Sequence, residues 1–182
     1  MSPRAFISLG SNIDPERNLP EATERLAALG RIAGVSNVYA APAVGPAGQP
    51  DFLNAAVLLE TDLGPEAIRD RLRAIEAHLG RVRTRDRYAP RPIDLDLVLY
   101  DDLVLDDPPL RIPDPDLLER GYLALTISEL SPGAIHPETG ETLAAIAARV
   151  GVGPGLVRRP EVDLADHIGP QDRPSPPARR RG

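Results

Sequence analysis

The chain switches between two periods of apolar residues. Arg4 to Leu9 is a short apolar run closed by Gly10-Ser11-Asn12, which predicts a strand and a tight turn. Leu19, Ala22, Leu26 and Leu29 then recur at helical spacing up to Gly30, with Asp14 placed to cap the helix and Pro15 at its first position. Val35 to Ala40 predicts a second strand. Ala41 to Pro50 holds three prolines and two glycines and is a loop. Phe52 to Leu63 predicts a third strand. A second helix opens at Gly64-Pro65, buries Ile68, Leu72, Ile75 and Leu79, and ends at Gly80. Arg81 to Pro92 is a polar, arginine-rich loop, and Ile93 to Val98 alternates as a fourth strand. A short strand at Leu110 to Ile112 and helices over Leu117–Leu130 and Thr142–Val150 complete the pattern.

Strand, helix, strand, strand, helix, strand is the βαββαβ order of a ferredoxin-like α+β fold. Such a fold has a mainly antiparallel four-stranded sheet with helices on one face, here followed by C-terminal helices. The folded domain is expected over residues 1–150. From Gly151 the periodicity dissolves, and residues 151–182, rich in proline and arginine, are expected to be a largely disordered extension.

Composition narrows the function. The chain of 182 residues carries a formal net charge of -6, which argues against general nucleic-acid binding. It has no cysteine, so a thiolate metal site is excluded. No apolar run approaches the ~18 residues of a membrane span, and the N-terminal apolar stretch is too short for a signal peptide. A cytoplasmic monomer is the default expectation. All 21 basic residues are arginine, so any phosphate-binding cation must be a guanidinium.

Candidate chemistry gathers in three places. On a strand, Asp94 and Asp96 share a face while Ile93, Leu95 and Leu97 take the other. Two like charges so close favour a cation between them, and magnesium uses one or two carboxylates plus nucleotide phosphates. Alone, an Asp-x-Asp is more readily a solvated strand face. Arg81, Arg83, Arg85, Arg87 and Arg91 lie just upstream, and guanidinium forks suit phosphate oxygens. Phe52 and Asn54 share a face at the start of the third strand. There a ring can stack on a flat heterocycle and an amide can read its edge, although by itself Phe52 is more readily core. No Walker-type phosphate loop is present, and the three histidines have no metal-ligand spacing.

Leu9-Gly-Ser-Asn12, Gln49-Pro-Asp-Phe-Leu-Asn-Ala-Ala56, Gly80-Arg-Val-Arg83 and Arg87-Tyr-Ala-Pro-Arg-Pro-Ile-Asp-Leu-Asp96 occur in that order. Together they resemble the 6-hydroxymethyl-7,8-dihydropterin pyrophosphokinase family of folate biosynthesis, over residues 4–150. The resemblance implies diphosphate transfer from ATP to the pterin with release of AMP, and two magnesium ions on Asp94 and Asp96. It implies catalytic roles for Arg81, Arg91, Asp94 and Asp96, and ATP contacts at Glu76, Arg83, Arg87, Tyr88 and Arg120. The pterin would lie between Phe52 and Tyr122, read by Asn54 and walled by Ala41, Pro42, Val44 and Gly45.

The chain departs from the family's pattern at three positions. Asp114 stands where many members have a nucleotide-holding histidine, Tyr88 where some have tryptophan, and Thr84 where some have lysine. An aspartate at 114 would repel phosphate unless it turns away or joins a metal. The alternatives are therefore a degenerate homologue that binds pterin without catalysis, and an RNA-binding ferredoxin-like module.

Overall fold

A computed structural model describes residues 1–45, 47–86 and 88–169. Its centre is a sheet in the order β5-β1-β4-β3-β8, built from β1 (Arg4–Ser11), β3 (Tyr39–Ala41), β4 (Phe52–Glu60), β5 (Asp94–Tyr100) and β8 (Val157–Arg158). A further strand, β2 (Arg31–Val35), also pairs with β4. All these pairings are antiparallel. The hairpin β6 (Leu105–Asp107) and β7 (Leu110–Ile112) stands apart. The expected α+β, ferredoxin-like layout is present, with the predicted second strand divided in two.

Ser36 explains that division. Its N–H donates to the Ala56 carbonyl at 2.9 Å, and its hydroxyl accepts from the Ala56 N–H at 2.8 Å. A side-chain oxygen thus replaces a main-chain acceptor and interrupts the ladder between β2 and β3.

Alternation along β1 and β4 sorts side chains to two cores. Ile7, Leu9, Val57 and Leu59 face α1 (Pro15–Leu26) and α2 (Pro65–His78). Phe6, Ala56 and Leu58 face α3 (Gly121–Leu130) and α4 (Leu143–Val150). Leu19, Ile7 and Leu59 are fully buried; each such side chain contributes about 1.5–3 kcal/mol relative to exposure.

Several element ends differ from expectation. Asp14 opens α1 through its backbone carbonyl, not its side chain, because its left-handed backbone (φ 44°) turns the carboxylate away from the helix N–H groups. α1 tightens into a 3-10 turn at Ala27–Leu29. The helix expected from Leu117 begins at Gly121, after a separate 3-10 turn over Pro115–Leu118. β5 carries a register shift opposite Phe6 and Ile7, so Val98 and Leu99 both enter the α3 core and strict alternation ends at Val98.

The largest correction concerns the expected extension. Through Ile168 the chain is a strap: β8 pairs with β3, and Val162, Leu164 and Ile168 enter the core beside α1. Three apolar anchors on an irregular backbone show no period, which is why the pattern seemed to dissolve. Residues 170–182 lie outside the described residues. Among the described residues, no helix is long and apolar enough to cross a membrane.

Candidate active site

The sheet face beneath α3 changes character along its length. One row across it, Leu99–Phe6–Leu58, is apolar and covered. The next is Asp96–Ser8–Ala56, and the next Asp94–Gly10–Asn54. Beyond them Phe52 pairs with Ala41 of β3. α3 begins too late to cover these last rows, and a cavity of about 400 Å³ opens over them. Gly10 keeps its floor low: a Cβ there would stand 3.5 Å from Asn54 Oδ1 and 3.8 Å from the Phe52 ring.

Most predicted site residues line this cavity: Ala41, Pro42, Val44, Phe52, Asn54, Tyr88, Arg91, Asp94, Asp96, Arg120 and Tyr122. Gly45 lies just behind the wall, in the left-handed region (φ 128°), where a Cβ would stand 2.9 Å from Tyr88 Cβ. The proline–glycine loop and the arginine loop meet there, and Gln49 Nε2 donates to the Tyr88 carbonyl at 2.8 Å. Arg87 lies outside the described residues.

Glu76, Arg81 and Arg83 form a layer outside the cavity lining. Glu76 is only 2% exposed. Its carboxylate accepts from the Leu95 N–H at 2.9 Å, from Arg83 at 2.7 Å and from Arg81. Arg81 also donates to Asp94, which Arg91 holds from the other side at 2.8 Å. Burial works against the charge on Arg81, but Asp94, Glu76 and Asp96 outweigh it and hold its pKa above the usual value. In this arrangement the Glu76 carboxylate fixes two guanidinium groups and a strand.

Asp96 opens to the cavity yet is ringed by protein. Burial first, then Asp94, Asp114 and Glu76, push its carboxyl from 3.8 up to about 7. Asp96 offers hard oxygens with open access, which suits a divalent cation, while both Asp94 oxygens are held by Arg81 and Arg91 and would have to be shared with it. Among the described residues no group of three or more His, Cys, Asp or Glu could hold a metal. Coordination beyond the aspartate pair would fall to phosphate and water.

Asp114 turns away. Its Oδ1 caps the 3-10 turn by accepting from the Asp116 N–H at 2.9 Å, and it does not line the cavity. Burial raises its pKa, while that same hydrogen bond lowers it. Asp116 in turn grips Arg120 at 2.6 Å.

Among the contributors that the sequence reading missed, two stand out. Asp116 lines the cavity, and its only local signal is the i,i+4 spacing to Arg120. Asn12 ties the loops together: Oδ1 accepts from the Arg91 N–H at 2.8 Å, and Nδ2 donates to the Pro50 carbonyl at 3.4 Å. Arg91 stands 5.9 Å from the Phe52 ring centre, within cation–π range.

Residues 6–132 match the model of the family described as 7,8-dihydro-6-hydroxymethylpterin-pyrophosphokinase. A 2-amino-4-hydroxy-6-hydroxymethyldihydropteridine pyrophosphokinase of Pseudomonas aeruginosa is 36% identical over 142 residues, covering 76% of this chain and 86% of that protein. The enzyme of the same name from Methylorubrum extorquens is 37% identical over 150 residues, covering 81% and 93%. Among solved structures, Plasmodium falciparum HPPK-DHPS with pteroate superposes with a TM-score of 0.64 at 14% identity. That likeness covers 82% of this chain but only 42% of the Plasmodium chain, and supports the fold alone.

Proposed function

The chain belongs to the 7,8-dihydro-6-hydroxymethylpterin-pyrophosphokinase family, and from that membership we propose how its own residues carry the family's reaction. The enzyme transfers diphosphate from ATP to 6-hydroxymethyl-7,8-dihydropterin in folate biosynthesis. The row Asp94–Gly10–Asn54 carries the assignment. It sets an amide reader and a phosphate-end carboxylate on one sheet face, two strands or roughly 10 Å apart. The pterin lies on Gly10 between Phe52 and Tyr122, with its amide edge on Asn54 and its hydroxymethyl group towards Asp94 and Asp96. Ala41, Pro42 and Val44 close its side.

Arg91 and Arg120, with Tyr88, line the nucleotide end. Arg81 stands behind Asp94 and holds it in place while adding positive potential where phosphate charge develops. The hydroxymethyl oxygen attacks the β-phosphorus, the bond from that phosphorus to the α–β bridging oxygen breaks, and AMP leaves with that oxygen. No protein nucleophile is required, because positioning and charge neutralisation supply the catalysis. Two magnesium ions fit on Asp94 and Asp96, where they would neutralise phosphate charge. The monomer is sufficient for every role assigned.

Asp96→Ala tests the assignment. Turnover should vanish while pterin affinity, measured calorimetrically without ATP, stays within about twofold, since the ring contacts remain. Equal loss of both would make the strand face structural and sink the assignment. The degenerate reading turned on Asp114, which does not line the cavity and whose Oδ1 accepts from the Asp116 N–H.

A further inference from the structure

The strap from Gly151 to Ile168 touches the cavity wall at two points in its first five residues. At its start, the Gly151 carbonyl packs on Gly121 so closely that a Cβ there would stand 2.2 Å from the oxygen. Gly121 lies between Arg120 and Tyr122, both of which line the cavity. Four residues later Gly155, held at φ +84°, abuts Pro42: a Cβ there would meet the proline ring at 3.1 and 3.3 Å. Pro42 is the residue after β3 and lines the opposite wall.

The strap is itself fixed from behind. β8 pairs with Tyr39 and Ala40, and the Arg159 N–H donates to the Val38 carbonyl at 2.8 Å. Arg158 donates to Asn37 Oδ1 at 2.7 Å, and Glu129 of α3 accepts from the Asn37 N–H at 2.8 Å and from the Tyr39 hydroxyl. Leu164 and Ile168 anchor its far end in the core, and ion pairs Arg159–Glu16 and His167–Glu24 tie it to α1.

We infer that this strap is a positioning element for the pterin half of the site, setting the gap between the Pro42 wall and the Tyr122 wall. β3 is only three residues long, so on its β4 side it offers Pro42 a short ladder. β8 supplies the missing edge, and Gly155 leaves room for the proline. Arg91, Asp94 and Asp96, at the nucleotide end, rest on the opposite side of the sheet order, and the strap adjoins that end only through Gly121, beside Arg120. The inference rests on the pterin seat proposed above.

The test uses the full-length protein carrying Gly155→Val, with pterin and a non-hydrolysable ATP analogue titrated separately. A branched side chain there strains the left-handed backbone and crowds the Pro42 ring, and the dissociation constant for pterin should rise by roughly tenfold, the equivalent of about 1.4 kcal/mol. That for the ATP analogue should stay within about twofold. An unchanged pterin affinity, or parallel loss of both ligands, overturns the inference. Arg158→Ala, an exposed change that removes the tie to Asn37 and a charge beside Tyr39, should raise the pterin KM about threefold with the ATP KM unchanged. If Gly155→Val fails to fold, that second variant decides alone, and an unmoved pterin KM overturns the inference. Asn54→Ala checks the seat independently: if pterin affinity survives it, the seat itself is misplaced and the inference falls with it.

Discussion

Replacing Glu76 separates a nucleotide contact from a buried anchor. Its carboxylate, 2% exposed, serves the Leu95 N–H and two arginines. In Glu76→Ala the orphaned Leu95 N–H costs about 1–3 kcal/mol. Arg83 is 60% exposed, so its pair contributes little, under about 1 kcal/mol. Arg81 is 12% exposed and loses one of two carboxylates. Breaking a buried pair outright costs about 3–5 kcal/mol, and Asp94 recovers part of that. The sum is about 3–5 kcal/mol, a large share of the ~5–15 kcal/mol available to a domain. Urea unfolding followed by circular dichroism measures it, and Glu76→Gln, which keeps volume and one acceptor, should lie between wild type and Glu76→Ala. Turnover should fall in both because Arg81 and Asp94 lose their register. ATP-analogue affinity, measured where the variants are folded, should change less than about threefold. A tenfold loss of nucleotide affinity in Glu76→Gln with stability intact would refute the reasoning, because the carboxylate would then have to touch ATP.

Other substitutions probe the remaining parts. Asp96 has its folded pKa raised from 3.8 to about 7, so its charge costs stability increasingly as pH rises through that window. Asp96→Asn should therefore stabilise the metal-free protein at pH 8 and not at pH 4. The ceiling is about 4 kcal/mol, reduced to about 1–2 by the solvent-open cavity. Thermal melts in a chelator at the two pH values read this, and no stabilisation at pH 8 would contradict it. Phe52→Ala should weaken pterin binding by about two- to tenfold, the worth of one aromatic contact, and leave ATP-analogue binding unchanged; calorimetry with each ligand distinguishes the two. Asp114→Ala removes a turn cap and should cost about 0.5–2 kcal/mol in denaturant midpoint, without tightening nucleotide binding. Tighter binding would mean that the carboxylate faces phosphate after all.

The site was legible in sequence where chemistry follows a local period. Asp94 and Asp96 sit on one face because strands alternate, and Phe52 and Asn54 do so for the same reason. The element order was legible for the same cause. What escaped depends on distant partners. Asn12 bonds across 79 positions to Arg91 and 38 to Pro50, and nothing near a Gly-Ser-Asn turn announces either. Ser36 breaks a ladder by offering its hydroxyl to Ala56, a substitution visible only once the strands are paired. Glu76 came into the site only through the family resemblance, and its burial and its bonds to Leu95, Arg81 and Arg83 become visible only in the fold. The strap hid because Val162, Leu164 and Ile168 anchor irregular backbone.

The most direct test of the central claim follows one oxygen atom through the reaction. ATP bearing heavy oxygen in the bridge between the α- and β-phosphorus is incubated with the enzyme, magnesium and hydroxymethyl dihydropterin, and the products are weighed by mass spectrometry. Attack at the β-phosphorus, with the pterin hydroxymethyl group aimed at the Asp94–Asp96 end of the cavity, predicts that the label leaves in AMP and that the pterin diphosphate is unlabelled. Label in the pterin product, or ADP together with a pterin monophosphate, would contradict it.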